Sequence, residues 1–330
     1  MLLIHNQIKL PRIVIIGYIK IIRHEAMQSI NALSLPLILD NWLTNLCHPH
    51  ILHVFDHACN LIDDQRNILS IVTPHIGNGP FNLVIEDDIL FSDHLAMQSA
   101  VSIHNGQIDL GDLTINTANA HFWPPRPNWE TLHARRDDIL NQIMSLRGQW
   151  SHARSNSPAN FEIAHLHCTK RSAVQVPSQR ALLTTISSIT NSLTTTLAIA
   201  DLPAAITATR QLAGLGQGLT PAGDDFIMGA LYASWIIHPP EIAKTLAGEI
   251  TNAAAPLTTS LSAAYLKSAG KGEAGILWHN FFNSLLSGGN IQLPIIKLLS
   301  IGHTSGADAL AGFISTIISH QEAGTKLCPS

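Results

Sequence analysis

The residues best suited to chemistry in this chain lie in one stretch, GLGQGLTPAGDDFIMG at 214–229. Its glycines alternate at Gly214, Gly216 and Gly218, and two adjacent carboxylates, Asp224 and Asp225, follow a Thr-Pro step. Alternating glycines raise the entropy cost of folding and stabilise nothing locally, so they belong where φ is positive or a group approaches the backbone closely. Thr220 as an N-cap and Pro221 at the first helical position predict a helix over 222–237. Asp224 and Asp225 then fall in its first turn, where the helix dipole favours carboxylates.

A second stretch, GHTSGADALAG at 302–312, repeats the pattern. Both contain Gly-x-Thr followed by Gly-x-Asp-x-x-x-Gly, so Gly223, Asp225 and Gly229 match Gly306, Asp308 and Gly312. The interval from Thr to Gly is one residue longer in the first copy. Aspartate and the second glycine, four apart, share a helix face, and a small residue there admits another helix or a ligand. The expectation is two similar helix starts converging on one cleft.

Free N–H groups at helix starts favour anions. The donors expected here are the backbone around Gly216, Gly218 and Gly223 and around Gly302 and Gly306, with the Thr220, Thr304 and Ser305 hydroxyls. Asp224, Asp225 and Asp308 would repel a bare phosphate, and no GxxxxGK[ST] lysine offsets them. Two arrangements resolve this. A divalent cation such as Mg²⁺ bridges the acids to a phosphate or carboxylate. Alternatively, the acids accept hydrogen bonds from a ureido or amide group while loop N–H groups hold an anion and polarise a carbamoyl carbonyl. Thr258, Thr259, Ser260 and Ser262 open a further helix and read first as caps, with Thr258 and Thr259 as additional site candidates. Asn78, in GNGP, and His57 are candidates to reach the cleft from the first half, although a turn asparagine and a half-buried histidine are the simpler readings.

The elements that must position these groups fall into two kinds. Residues 1–125 read as β-rich: IVIIGYIKII (13–22), ILHVFDHACNLID (51–63) and NILSIVTPHIGNGPFNLVIED (67–87) suggest strands, and Asn105-Gly106 between alternating apolar residues signals a hairpin. Three prolines in AHFWPPRPNWE (120–130) exclude regular structure and suggest a linker or lid-like loop. A helix and connecting segment occupy 126–177, with a polar break at 151–161. Helical spacing, interrupted by Gly, Pro or Asn, recurs over 178–200, 201–213, 222–237, 240–253, 257–269, 273–287, 291–299 and 306–320. The fold expected is α+β, a barrel- or sandwich-like β-rich part followed by an all-helical part over 178–325 that carries both Gly/Asp motifs.

Composition narrows the class. Charged residues make up 13% of the 330, about half the usual share, and the mean hydropathy is +0.19. A chain so poor in charge is expected to cover apolar surface with another subunit, a second copy of itself included. A net charge of −4 gives no electrostatic case for nucleic acid or an anionic membrane. The apolar run at 13–22 carries Lys20, is half the length of a spanning helix and lacks a signal-peptide cleavage site, so a cytoplasmic protein is expected. Cys47, Cys59, Cys168 and Cys328 form no CxxC pair and read as reduced thiols. Among the histidines, HLHC (165–168) and HPH (48–50) lack a second ligand pair for zinc. HExxH, GxSxG and a GxGxxG opening a βαβ unit are absent.

GLGQGLTPAGDDFIMG, TTSLSAAYLKSAGKGE and IGHTSGADALAG, in this order, resemble the AllH-type family, with support from GNGPFNLVI at 77–85. The resemblance covers roughly residues 50–320. It implies a subunit of a carbamoyltransferase complex, of the type converting oxalurate and phosphate to oxamate and carbamoyl phosphate at the end of allantoin (purine) breakdown. It further implies a succinyl-CoA-synthetase-like subunit and a third protein as partners. Three positions depart from the family pattern: Gln217 stands for Pro, Ala222 for Ser, and Leu257 for an Arg before the Thr pair, which puts one anion contact in question. Two other readings compete, a non-catalytic metabolite-binding or structural subunit and a metal-dependent amide hydrolase.

Overall fold

The computed structural model describes residues 27–38, 42, 48–153 and 177–327, with side chains over 27–38, 42, 48–145 and 185–325. The strand expected at 13–22, most of the polar break at 151–161, Cys47, Cys168 and Cys328, and His165 and His167 lie outside these residues.

The first part is an almost closed mixed barrel. Its strands are β1 (Gln28–Leu35), β2 (His50–Val54), β3 (Ala58–Ile62), β4 (Ile68–Val72), β5 (Asn82–Ile85), β6 (Val101–His104), β7 (Gln107–Leu110), β8 (Leu113–Asn116) and the short β9 (His121–Phe122). They are ordered β2-β3-β4-β5-β1-β8-β7-β6, with β9 added beside β1. A one-turn helix, α1 (Phe91–His94), adds the buried Phe91 to the barrel core. Alternation along the strands sends Ile30, Ala32, Ile51, Cys59, Leu61, Leu69, Ile71, Leu83, Ile85, Ile108 and Ile115 into one interior. Burial pushes the Cys59 thiol up to about 12, so it behaves as a small apolar group. The β6–β7 turn has Asn105 at φ 49° and Gly106 at φ 78°, the left-handed pair that matches strand twist. No turn signal marks β1, which joins the two halves of the sheet by pairing antiparallel with β5 and parallel with β8. Non-local pairings of this kind leave little trace in local sequence.

The second part is helical: α2 (Trp129–Ala134), α3 (Arg136–Ala153), α4 (Pro177–Ala198), α5 (Leu202–Leu212), α6 (Ala222–Ile237), α7 (Pro240–Ala254), α8 (Ser260–Gly270), α9 (Ile276–Ser287), α10 (Gln292–Leu299) and α11 (Ser305–Leu327). Helix α6 is apolar almost all round, the pattern of a helix enclosed by others rather than lying on a surface. It packs most extensively on α11, and Trp129, Tyr232, Trp235, Trp278, Phe281, Phe282 and Phe313 fill the surrounding core.

The proline segment at 120–130 is neither a free linker nor a lid. The Pro125 carbonyl accepts from the Ala274 N–H (2.8 Å) and lies 3.0 Å from His279 Nε2. Arg126 Nη1 donates to the Lys271 carbonyl (2.9 Å), and the Trp129 indole N–H to the Gly272 carbonyl (2.7 Å). A stretch poor in backbone donors has thus become a strap that ties barrel to helices, accepting at Pro125 and donating from the Arg126 and Trp129 side chains. The same seam holds the Ile276 N–H on the Asn78 carbonyl (2.9 Å), Arg66 Nη2 on Ser260 Oγ (2.7 Å), and Leu261 against Ile62, Ile68 and Phe81.

Candidate functional site

The two Gly/Asp motifs meet. Each begins where a preceding helix ends, and the local backbone is the same in both. The Leu215 N–H donates to the Leu212 carbonyl (3.0 Å), and the Gly223 N–H to the Leu215 carbonyl (2.9 Å). In the second copy the Ile301 N–H donates to the Leu298 carbonyl (3.0 Å), and the Gly306 N–H to the Ile301 carbonyl (3.1 Å). A Cβ on Gly223 would lie 2.1 Å from the Leu212 carbonyl oxygen, and one on Gly306 1.8 Å from that of Leu298. Both glycines therefore serve close packing. Their amides are taken by backbone carbonyls, which corrects their assignment as anion donors.

The helices then cross at the later glycines. A Cβ on Gly229 would sit 1.7 Å from the Ala309 carbonyl oxygen, and one on Gly312 2.0 Å from that of Phe226. Phe226 follows Asp225 and Ala309 follows Asp308, so the contact is reciprocal, as across a two-fold axis. The Thr220 and Ser305 hydroxyls bond each other at 2.8 Å across the same axis. Thr220 is not the cap expected from sequence: α6 starts at Ala222, Pro221 takes the cap position, and no side chain caps the helix. The extra residue of the first motif moves its threonine off the helix and onto the second motif's serine.

Asp225 and Asp308 are brought together on this axis, and Asp224 is not. Asp225 is 5% exposed and its Oδ2 has no hydrogen-bond partner. Burial pushes its carboxyl from 3.8 up to about 7; the Ser305 and Thr220 hydroxyls oppose the rise, and the charges of Asp308 and Asp224 add to it. Asp308 is 3% exposed, and its N–H donates to the Thr304 carbonyl (2.9 Å).

Asp224 turns away to hold the glycine loop. It accepts from the Gly214 N–H (2.8 Å), from Ser262 Oγ (2.8 Å) and, in a short contact, from the Thr258 hydroxyl. Burial raises its carboxyl, and these three donors act the other way. It is an anchor for the loop rather than a ligand-facing acid. Thr259 is the true cap of α8, accepting from the Ser262 N–H (3.1 Å), while its own hydroxyl donates to the Leu219 carbonyl (2.5 Å). Thr258 and Ser262 are thus anchors and not caps. Removing both hydroxyls (Thr258→Ala with Ser262→Ala) leaves a buried carboxylate short of donors and is expected to lower stability by about 2–6 kcal/mol, read from urea unfolding.

The alternating glycines do what their type suggested. Gly214, Gly216 and Gly218 have φ of 72°, 132° and 93°. A Cβ on Gly214 would meet the Leu257 carbonyl oxygen at 2.4 Å and one on Gly216 the Ala222 nitrogen at 2.7 Å, whereas Gly218 faces open space. Residues 216–219 are exposed, as is Gly302 at φ 56°. Leu219 and Leu257 lie on the outside of this loop, both exposed. Asn78 is held elsewhere, with Ser34 Oγ donating to its Oδ1 (2.5 Å), and His57 lies beside Asp88 (3.6 Å). Both belong to the barrel and its seam.

Tyr265 lies one helical turn beyond Ser262 on α8, and its half-buried ring packs on Phe81 of the barrel with centroids 4.7 Å apart. Burial and the charge of Asp225 hold its phenol up at about 12. Among the described residues no group of three or more His, Cys, Asp or Glu is arranged to hold a metal ion, and no helix is long and apolar enough to cross a membrane.

Two family models match this chain, one described as the AllH family N-terminal domain over residues 32–122, the other as oxamate carbamoyltransferase subunit AllH over 212–317. The first span is the barrel. The second begins at Leu212, the carbonyl against which Gly223 packs, and takes in both Gly/Asp motifs and the Thr258–Ser262 anchors. The chain belongs to the AllH family. As an AllH chain it is a subunit of oxamate carbamoyltransferase, in allantoin catabolism, and other subunits of that transferase complex are its partners. No solved structure matches it.

Proposed function

We propose that this AllH subunit itself binds the carbamoyl-bearing substrate, at the axis where the starts of α6 and α11 meet. The substrate class is a small ureido carboxylate of the oxalurate type, phosphorolysed to oxamate and carbamoyl phosphate. The observation that carries this reading is the buried Asp225 Oδ2 with no partner: a lone acceptor out of water is costly unless a ligand N–H completes it. Asp225 and Asp308 accept from the ureido nitrogens, and the Thr220–Ser305 pair lies beside them. The exposed amides of the 216–218 loop and of Gly302 are left for the carboxylate or phosphate. Leu257 gives this lip an apolar side chain, so the anion is held here by backbone N–H groups rather than by an arginine.

Neighbouring carboxylates also suit a divalent cation bridging substrate to protein, with Mg²⁺ the first choice for oxygen ligands. The remaining chemistry falls to partners, a succinyl-CoA-synthetase-like subunit and a third protein, and a second copy of this chain is a further candidate for covering its apolar surface. Isothermal titration of the chain with oxalurate and with oxamate, with and without Mg²⁺ and with chelator, tests the site. Binding that disappears in the Asp225→Asn, Asp308→Asn double variant supports it. Undiminished binding by that variant removes the proposal, and chelator-sensitive binding selects the cation form.

A further inference from the structure

Resting on that reading, we infer that Thr259 is a positioning residue for the bound anion: its hydroxyl pins the end of the glycine loop, so that the loop amides are fixed in direction before the anion arrives. The loop is poorly held by its own sequence. Gly214, Gly216 and Gly218 all take positive φ, and glycine leaves a chain more conformational freedom than any other residue. Order must come from outside, and one segment, residues 257–262 at the start of α8, supplies it at both ends. At the first end Gly214 packs over the Leu257 carbonyl, and its N–H donates to Asp224 (2.8 Å). Ser262 Oγ (2.8 Å) and the Thr258 hydroxyl hold that carboxylate in turn. At the other end the Thr259 hydroxyl donates to the Leu219 carbonyl (2.5 Å).

A trans peptide points its C=O and its N–H in opposite directions. With the Leu219 carbonyl on Thr259, the Thr220 N–H faces away from α8. The Thr220 hydroxyl is tied to Ser305 (2.8 Å), so this peptide is held from two sides. Among the described residues, the N–H groups of Gly216, Gln217, Gly218, Leu219 and Thr220 meet no backbone acceptor. Donors fixed in advance take an anion without losing the entropy of being ordered on binding. Thr259 also accepts from the Ser262 N–H (3.1 Å), so one side chain caps α8 and pins the loop. The next residues, Ser260 and Leu261, are held by Arg66 and by Ile62, Ile68 and Phe81, so the pin stands on the barrel.

The test uses the assembled complex, with KM measured separately for phosphate and for oxalurate. Thr259→Gly removes the hydroxyl but leaves a residue that caps helices nearly as well; Thr259→Ser restores both bonds. In Thr259→Gly, KM is expected to rise roughly tenfold for whichever anion the loop holds, with kcat changed less than about threefold. Thr259→Ser returns KM to the wild-type value. Wild-type KM for both anions in Thr259→Gly overturns the inference. So does a rise that merely follows a fall in melting temperature, a rise that Thr259→Ser does not reverse, or an equal rise in Ser260→Ala, which loosens the same turn without touching the loop. The Asp225→Asn, Asp308→Asn double variant separates this inference from the site itself. Lost activity there beside a silent Thr259→Gly rejects the threonine alone; silence in both rejects the site as well.

Discussion

Asp225→Asn lowers turnover of the assembled transferase by roughly 10²–10⁴-fold while making the subunit more stable above neutral pH. The first effect follows from the lone buried oxygen: an amide nitrogen placed there donates where the site accepts. The second follows from linkage. In the folded chain Asp225 binds its proton up to about pH 7, against 3.8 for an ordinary aspartate. Between those values the folded state keeps a proton that the unfolded state has lost, so the stability contributed by that proton is full below about pH 4. It falls as pH rises through the window and is gone above about 7. At about 1.4 kcal/mol for each pH unit between the two values, the wild type loses on the order of 4 kcal/mol across it. The asparagine variant does not titrate. Melting curves of the two proteins therefore coincide near pH 4 and separate towards pH 8, with the variant higher. If the wild type is the more stable protein at pH 8, the carboxyl is not buried as described. A gain in stability at the cost of activity is also the usual mark of a functional site.

Gly229→Ala and Gly312→Ala are expected to cost roughly 3 kcal/mol or more each, the upper end of what overpacking does, because the clash is with backbone. The added carbon would lie 1.7 Å from the Ala309 carbonyl oxygen in one case and 2.0 Å from that of Phe226 in the other. Neither obstacle is the end of a flexible side chain. The helices must part, and parting them separates Asp225 from Asp308. Any variant that still folds therefore loses more activity than its melting temperature explains. Gly248→Ala in α7 and Gly324→Ala in α11 are the controls: an added carbon meets nothing within 4 Å at either. Better helix propensity is expected to stabilise both by up to about 1 kcal/mol. Guanidinium unfolding of the four proteins gives two losses and two small gains. Four equal results would show that the crossing is not tight.

The reciprocity of that crossing explains why glycine and aspartate recur four residues apart. The aspartate faces the axis, the residue after it offers a carbonyl to the other helix, and the glycine one turn on receives the opposite carbonyl. One spacing serves both the packing and the acid pair. The acids are consequently buried where the helices cross, while residues 216–219 and Gly302 of the glycine loops are exposed.

Much of this was legible in the chain itself. Helical periodicity with Gly, Pro and Asn punctuation marks local events, and a helix is a local structure, so α4 to α11 follow from sequence spacing. The Asn105-Gly106 hairpin and the positive φ of Gly214, Gly216 and Gly218 are equally local, since steric limits on single residues decide them. The repeated Gly-x-Asp-x-x-x-Gly pattern was enough to foresee that the two helix starts converge, but not that the amides of Gly223 and Gly306 are spent on backbone carbonyls. What no spacing discloses is which partner each group finds across the fold. Asp224 and Asp225 are adjacent and chemically identical, yet a 100° step around α6 turns one to the Thr258 and Ser262 hydroxyls and the other to the axis. Thr220 reads as a cap until Ser305 is brought within 2.8 Å. β1 and Tyr265 become meaningful only when β5, β8 and Phe81 arrive from far along the chain. Backbone sterics and periodicity fixed the elements; long-range packing, which alone decides what each polar atom meets out of water, fixed their roles.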